Sequence, residues 1–411
     1  MTGKYDVLII GGGLVGASLL CALESAINQH GLKVAMVETH AIDEAGDTPT
    51  NAPPNSPPSY DARASALSYG TRLIYDELGL WPDLDPFATA ILDIQVSDRG
   101  HFGATRLNHQ QESVPALGYV VENYRLGEVL LKRLKSYRDR GRVEVLSPAQ
   151  VQSLQPLPDS EMKVVIRQRE EFVEKVASLV VLADGGRSRL MEKLGISRKH
   201  YDYEQHALVA NVSLDKPHNG VAYERFAGRG PMALLPLCAD RSALVWTVPT
   251  DEIDDRMSMD DETFLSTLQE KFGYRAGGFT KVGMRESYPL TLSVAREQVR
   301  PGLVVLGNAA HSMHPVAGQG YNLAIRDTMA LAGNITESLR QAIAPGSLSR
   351  LLQYVEEQKS DQKMTLDFCD GLVKLFSRQE LPVILARNLG LSCLDMSREL
   401  KGRFARKAMG F

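Results

Sequence analysis

Four cysteines are scattered through 411 residues, at Cys21, Cys238, Cys369 and Cys393, and none falls in metal-ligand spacing. They fit a reducing compartment and incidental or buried thiols. No uninterrupted apolar run reaches the roughly 18 residues that a membrane-crossing helix needs. The N-terminus has no basic segment followed by an apolar core and a small-residue cleavage site; its apolar run reads as a strand. A net charge of −4 gives no sign of a nucleic-acid partner. No nucleophile–base–acid triad is legible. His311 and His314 lie three residues apart, with no acid or cysteine completing a ligand set, so no metal is expected. What is present is ordinary for a globular chain: 44% hydrophobic and 23% charged residues, enough for one large or two medium domains. The expectation is a cytoplasmic protein that meets the inner face of the membrane peripherally and does not cross it.

Chemistry enters with glycine. Tyr5 to Ile10 is a buried-strand run, followed at once by Gly11-Gly12-Gly13-Leu14-Val15-Gly16. Strand, G-x-G-x-x-G and helix form the dinucleotide fingerprint in its required context. Gly11 permits the tight turn, Gly13 lets a pyrophosphate approach the backbone, and Gly16 lets the helix pack on the strand. The next strand, Val34 to Val37, ends at Glu38, whose carboxylate would accept hydrogen bonds from ribose hydroxyls. Far along the chain, the apolar run Leu303 to Leu306 leads into Gly307-Asn308-Ala309-Ala310. Pro315 and Gly318-Gln319-Gly320 follow, and a helix is predicted from Tyr321. Free N–H groups at that helix start could face an anion; an ordinary strand-to-helix turn reads the same way. A third stretch, Val181 to Ser188, ends a buried strand with Ala183-Asp184-Gly185-Gly186-Arg187-Ser188. Asp184 there either borders a ligand or satisfies backbone donors of its own loop.

These three stretches, in this order and spanning almost the whole chain, resemble the single-component class A flavoprotein aromatic hydroxylases. Within them the chain is similar to the ubiquinone-biosynthesis ring hydroxylases. It departs from most of that family at Gly307-Asn308, where Gly-Asp is usual; with His314-Pro315 following, the Asn form resembles the branch acting on a polyprenylated methoxyphenol. The resemblance implies FAD, with NAD(P)H as reductant and O2 and a polyprenylated phenol as substrates, reacting through a C4a-hydroperoxyflavin. It implies FAD contacts from Gly11, Gly13, Leu14, Val15, Gly16, Glu38, Arg63, Arg125, Val151, Asp184, Gly307, Asn308, Pro315, Gly318, Gln319, Gly320, Tyr321 and Asn322. Pro315 would lie near the isoalloxazine, and Asn322 would bond its pyrimidine edge. The backbone of Gly318 to Gly320 and the helix dipole would stabilise negative charge on the ring. No side chain is singled out as catalytic. The alternatives are hydroxylation at another ring position, a flavin-dependent prenyl reductase, and a non-catalytic FAD-fold prenyl-binding scaffold in a biosynthetic assembly.

The expected architecture is α/β. A Rossmann-like FAD domain occupies 1–185, with a Pro-rich surface insertion at 43–60 and a hairpin at 160–177. An antiparallel-sheet substrate domain occupies 186–295, the chain returns to the FAD domain over 296–345, and 346–411 is helical. A single helix is predicted over about Leu14 to Gln29, stopped by Gly31, and another beginning at Asp61 to Leu67. Arg63 is then either a solvated helix residue or, by resemblance, a flavin neighbour. Asn123 is predicted as an N-cap. The tail Arg398 to Phe411 carries five basic residues against one acid, interleaved with apolar ones. Two readings are open for it: a surface helix for an anionic membrane or a partner, and a cap on the cofactor domain.

Overall fold

The computed structural model describes residues 3–42, 63–228, 230–238, 240–378 and 380–411; the Pro-rich stretch 43–60 lies outside them. Lys4–Ile10 is the centre of the first sheet because Val7, Leu8 and Ile9 are fully buried on both faces, as a parallel strand covered by helices must be. It pairs in parallel with Val34–Val37 on one side and with Leu179 to Leu182 on the other. Leu303–Val305 and Val143–Leu146 extend the parallel core at its two ends. The strand Glu171–Leu182 has two halves. Its first half is the predicted hairpin arm, antiparallel to Met162–Gln168; its second half is the central parallel strand. Gln150–Pro156 belongs to the same sheet, paired with that hairpin.

The first helix departs from expectation. It ends at Ala22, breaks at Leu23 (φ −87°, ψ 0°), and resumes as Glu24–His30. Gly31, at φ +67°, supplies the left-handed cap that the sequence predicted. A larger difference lies at Ala64–Ser68. This segment is a strand, paired with Gly118–Glu122, and the helix starts only at Tyr69, capped by the Ser68 side chain. The alternation of small residues in Ala64-Ser65-Ala66-Leu67 carries no helical stripe, and pairing with a distant strand decided the outcome.

Among the described residues the second sheet has nine strands. The predicted segments are there: Arg198–Leu214, Val221–Ala227, Gly230–Pro236, Arg241–Pro249 and Glu286–Ala295. It also takes Asp93–Asp98 and Ala104–Asn108 from the N-terminal third, with Asp93–Asp98 running parallel to Val221–Ala227. The second sheet is therefore built from two separated stretches of chain rather than from 186–295 alone. Asp261–Phe272 covers one face of it through Phe264, Leu268 and Phe272. The helices Gln319–Arg340, Leu348–Ser377, Leu381–Met396 and Arg398–Ala408 follow.

Candidate functional site

Both ends of the chain meet at the top of the first sheet. Gly11 sits at φ +104°, and a Cβ there would stand 2.6 Å from the Ala183 carbonyl oxygen, so only glycine fits between the two strand ends. A Cβ on Gly16 would collide with the carbonyl oxygen of Gly11, which is the close helix-to-loop approach the fingerprint requires. Gly307, at φ +63°, lies against Val15 at the start of the first helix. The N-terminal fingerprint and the C-terminal motif are thus one surface.

That surface opens on a continuous cavity of about 1180 Å³. Gly11 to Val15, Glu38, Arg63, Val151, Asp184, Asn308, Pro315 and Gly318 to Asn322 line it, which brings together nearly all the sequence-predicted positions. Glu38 accepts the Gly12 N–H (2.6 Å) on one oxygen and the His40 N–H (2.9 Å) on the other. The His40 ring Nδ1 also sits 3.0 Å from that second oxygen, so of a carboxylate's roughly four acceptor positions about one remains for a hydroxyl donor. Asn308 is exposed to the cavity, although its neighbours Gly307 and Ala309 are buried.

Four assignments change. Arg125 does not line the cavity; its guanidinium donates to Glu128 and lies over the Phe87 and Tyr124 rings. Asn322 cannot bond a flavin edge with its side chain. Its Oδ1 accepts from the Ser68 N–H and the Thr71 hydroxyl, and its Nδ2 donates to the Ala66 and Gly318 carbonyls. Two donors and two acceptor positions are the whole capacity of an amide, so none is left. Gly318 spends its N–H on the Pro315 carbonyl (2.9 Å). As the left-handed N-cap (φ +61°) it turns the chain into a helix of 22 residues that begins at Gln319 and Gly320. Asn123 is the first helical residue rather than the cap, and its Oδ1 accepts from Ser65 Oγ.

Other side chains hold the frame. The Tyr321 hydroxyl points away from the cavity into a buried contact with the Tyr75 hydroxyl, and burial raises the pKa of both phenols. Asp184 accepts the N–H groups of Gly186 (2.9 Å) and Ser188 (3.1 Å), so its carboxylate shapes its own loop. Arg63 lies over the Tyr288 ring, 4.7 Å from its centroid, at the junction of the two sheets. Arg198 was not legible as a site residue. It reaches from the second sheet to the Ala309 carbonyl (3.0 Å) and packs over Gly186, tying two of the motifs together.

Behind the C-terminal motif, Gln298 Nε2 donates to Gln362 Oε1, and Gln362 Nε2 donates to Asp327 Oδ1. Gln298 Nε2 also lies 2.8 Å from His311 Nε2. Burial pushes Asp327 up to about 7 and His311 down to about 4. Their 3.8 Å separation is too long for a hydrogen bond, and burial favours the neutral form of each. His314 is likewise buried and pushed down to about 4, and its Nδ1 accepts the Val316 N–H. No group of three or more metal-ligating side chains occurs among the described residues.

The far end of the cavity is apolar. The inner face of the second sheet contributes Ala222, Phe226 and Val245, and the C-terminal helices contribute Phe376, Leu394 and Phe404. Phe226 and Phe376 stack with centroids 3.4 Å apart. Sequence reasoning missed the C-terminal contribution. The available signal was Ala386 and Gly390, two small residues four apart on one helical face, where a ligand can approach closely.

Residues 4–368 match the FAD binding domain family. The chain is 36% identical to ubiquinone hydroxylase UbiL of Rhodospirillum rubrum, over 98% of this chain and 89% of that protein. The chain belongs to the FAD-dependent ubiquinone-biosynthesis hydroxylases. This hydroxylase is also 30% identical to the human mitochondrial ubiquinone biosynthesis monooxygenase COQ6, over 97% of its own length and 91% of that protein's. Among solved structures, p-nitrophenol 4-monooxygenase from Pseudomonas putida superposes with a TM-score of 0.77 at 16% identity, covering 100% of the hydroxylase and 99% of that chain. PqsL of Pseudomonas aeruginosa, in complex with 2-aminobenzoylacetate, gives 0.75 at 22%, covering 95% of the hydroxylase and 100% of that chain. The hydroxylase thus has the flavoprotein monooxygenase fold and is an FAD-dependent monooxygenase. The glycine cradle, the cavity-lining carboxylate of Glu38 and the cavity-facing Asn308 fit FAD.

Proposed function

We propose that the protein hydroxylates the aromatic ring of a polyprenylated methoxyphenol on the route to ubiquinone, taking electrons from NAD(P)H. The observation that carries this reading is the cavity. It runs without interruption from the dinucleotide cradle at Gly11 to an apolar end walled by Phe226, Phe376 and Leu394. A cofactor with a polar tail would occupy the first part, and a ring bearing an apolar chain suits the second.

Gly11, Gly13 and Val15 would hold the pyrophosphate on the N-terminus of the first helix. Glu38 would take a ribose hydroxyl, Asn308 the ribityl chain, and Pro315 would flank the ring. The positive end of the long helix that starts at Gln319 would face the negative charge that reduction places on the ring. Bound FAD would supply the redox chemistry, carrying electrons from NAD(P)H to O2 for insertion of one oxygen atom into the substrate. The chain excludes water with its apolar far wall, and its buried His311 and His314 stay neutral at physiological pH. The test is to purify the protein with bound FAD and follow NAD(P)H oxidation with prenylated methoxyphenols under isotope-labelled O2. The expected result is substrate-stimulated oxidation with one labelled oxygen in the ring. Oxidation without label in the product would mean a reductase, and FAD binding without turnover would mean a scaffold.

A further inference from the structure

The helix Leu381–Met396 has two faces that do different things. One lines the cavity through Ala386, Gly390, Leu391 and Leu394. The other leaves Leu381 at 74%, Leu385 and Leu389 at 55% and Met396 at 87% exposure. At about 100° per residue these four fall within an arc of about 80°, opposite the cavity-lining side. Phe102 (63%) is exposed on the neighbouring tight loop, whose Gly103 N–H is held by Asn388 Oδ1 of this helix. A soluble surface seldom leaves a row of large apolar side chains on one helical face without a use for it.

The helix is not a loose flap. Arg387 and Asp98, both 3% exposed, pair at 2.7 Å, and Arg387 also donates to the Phe376 and Arg378 carbonyls. A stripe held this firmly is presented outward by the fold.

Charge selects the occupant. From residue 378 to the C-terminus there are seven basic residues against three acids, in a chain whose net charge is −4. Arg387 is used internally, and Lys401 and Arg403 pair with Asp395 and Glu399. Arg378 and Arg398 bracket the stripe in sequence and are exposed, as are Arg406 and Lys407. Apolar side chains flanked by cations match an anionic lipid surface, where leucines enter the acyl boundary and guanidinium groups meet phosphates.

We propose that this face docks on an anionic bilayer, so that the Leu381–Met396 helix separates lipid on one side from the cavity on the other. A prenylated substrate then passes from bilayer to cavity alongside this helix without crossing water. The passage rests on the hydroxylase reading above; the docking does not.

The holoenzyme should co-sediment with vesicles of phosphatidylglycerol and phosphatidylcholine, less with phosphatidylcholine alone, and less again at high salt. The triple variant L381Q/L385Q/L389Q should bind the mixed vesicles on the order of tenfold less. Its FAD content and its turnover of a short-chain phenol should equal those of the parent. R378E/R398E should lose the preference for anionic vesicles. Equal vesicle binding by parent and triple variant would overturn the proposal. So would a parent that elutes as a dimer and does not bind vesicles, with the triple variant monomeric, because the stripe is then an interface between copies. Short-chain turnover absent from the parent as well would count against the hydroxylase reading and leave the vesicle result to stand on its own.

Discussion

Asn322 shows how a motif residue can serve a cofactor site without touching the cofactor. Its amide joins the start of the Gln319–Arg340 helix to Ala66, Ser68 and Thr71, more than 250 residues earlier in the chain. Asn322→Leu leaves buried donors and acceptors without partners at about 1–3 kcal/mol each. The apoprotein should therefore melt at a clearly lower temperature. If Asn322 acted on the flavin alone, apoprotein stability would be unchanged and only FAD affinity would fall. Asp327 is the second such residue. Burial raises its folded pKa from 3.8 to about 7. Between those values the folded state holds a proton that the unfolded state has lost. The stability this adds is complete below the unfolded pKa and is lost as pH rises through about 7. Asp327→Asn keeps an acceptor for Gln362 and removes the titration. The parent should lose thermal stability as pH rises from about 4 to about 7, while the variant should change far less and overtake it at the upper end, on the order of 2–4 kcal/mol. Parallel melting curves for the two proteins would show that Asp327 does not titrate there.

At the scale of elements, the C-terminal tail is the instructive case. Its composition suits a free amphipathic arm, but the fold uses its apolar side internally. Ala405 and Met409 are buried, Phe404 meets Phe368 edge-on, and Phe411 meets Tyr69. The Met409 carbonyl accepts the Gly70 N–H at 2.7 Å, and the Ala408 carbonyl accepts from Gln319 Nε2. Gly70 needs to be glycine because a Cβ would stand 2.8 Å from that Met409 oxygen. Ending the chain at Ser397 should therefore lower the melting temperature and weaken FAD retention together. The removed helix helps seat Gln319 beside the proposed ring site. A truncated protein that keeps full FAD content and its melting temperature would show that the tail is dispensable to the body. The outward leucines of the preceding helix form the longer exposed apolar row; the tail adds only Leu400 and Phe411 to the exposed large apolar side chains.

For the whole molecule, the cofactor region is assembled from pieces that no single stretch of chain contains. Residues 11–16, 184–188 and 307–320 meet there, and the second sheet draws on both 93–108 and 198–295. A ligand that touches all the pieces stabilises their assembly by mass action, about 2.7 kcal/mol at a hundredfold excess over Kd. FAD added to the apoprotein should raise its melting temperature in a saturable way, and amide exchange should slow at both Gly11 to Val15 and Asn308 to Gly320. Protection at the N-terminal stretch alone would mean that the dinucleotide half binds without engaging the C-terminal motif.

The parallel core and the glycine cradle were legible from the chain because local constraint determines them. A buried strand needs an unbroken apolar run, and only glycine tolerates the φ of Gly11 or the helix contact at Gly16. The hairpin at 160–177 and the Gly31 cap followed from equally local rules. What the chain alone left open was decided by distant partners. Ala64–Ser68 became a strand because Gly118–Glu122 was there to pair with it. Asn322 and Tyr321 turned from ligand groups into braces because Ala66, Ser68 and Tyr75 arrived beside them. Arg125 found Glu128, Phe87 and Tyr124 instead of the cavity. A side chain's hydrogen-bonding capacity is finite, and which groups claim it is settled only when the rest of the chain has folded around it.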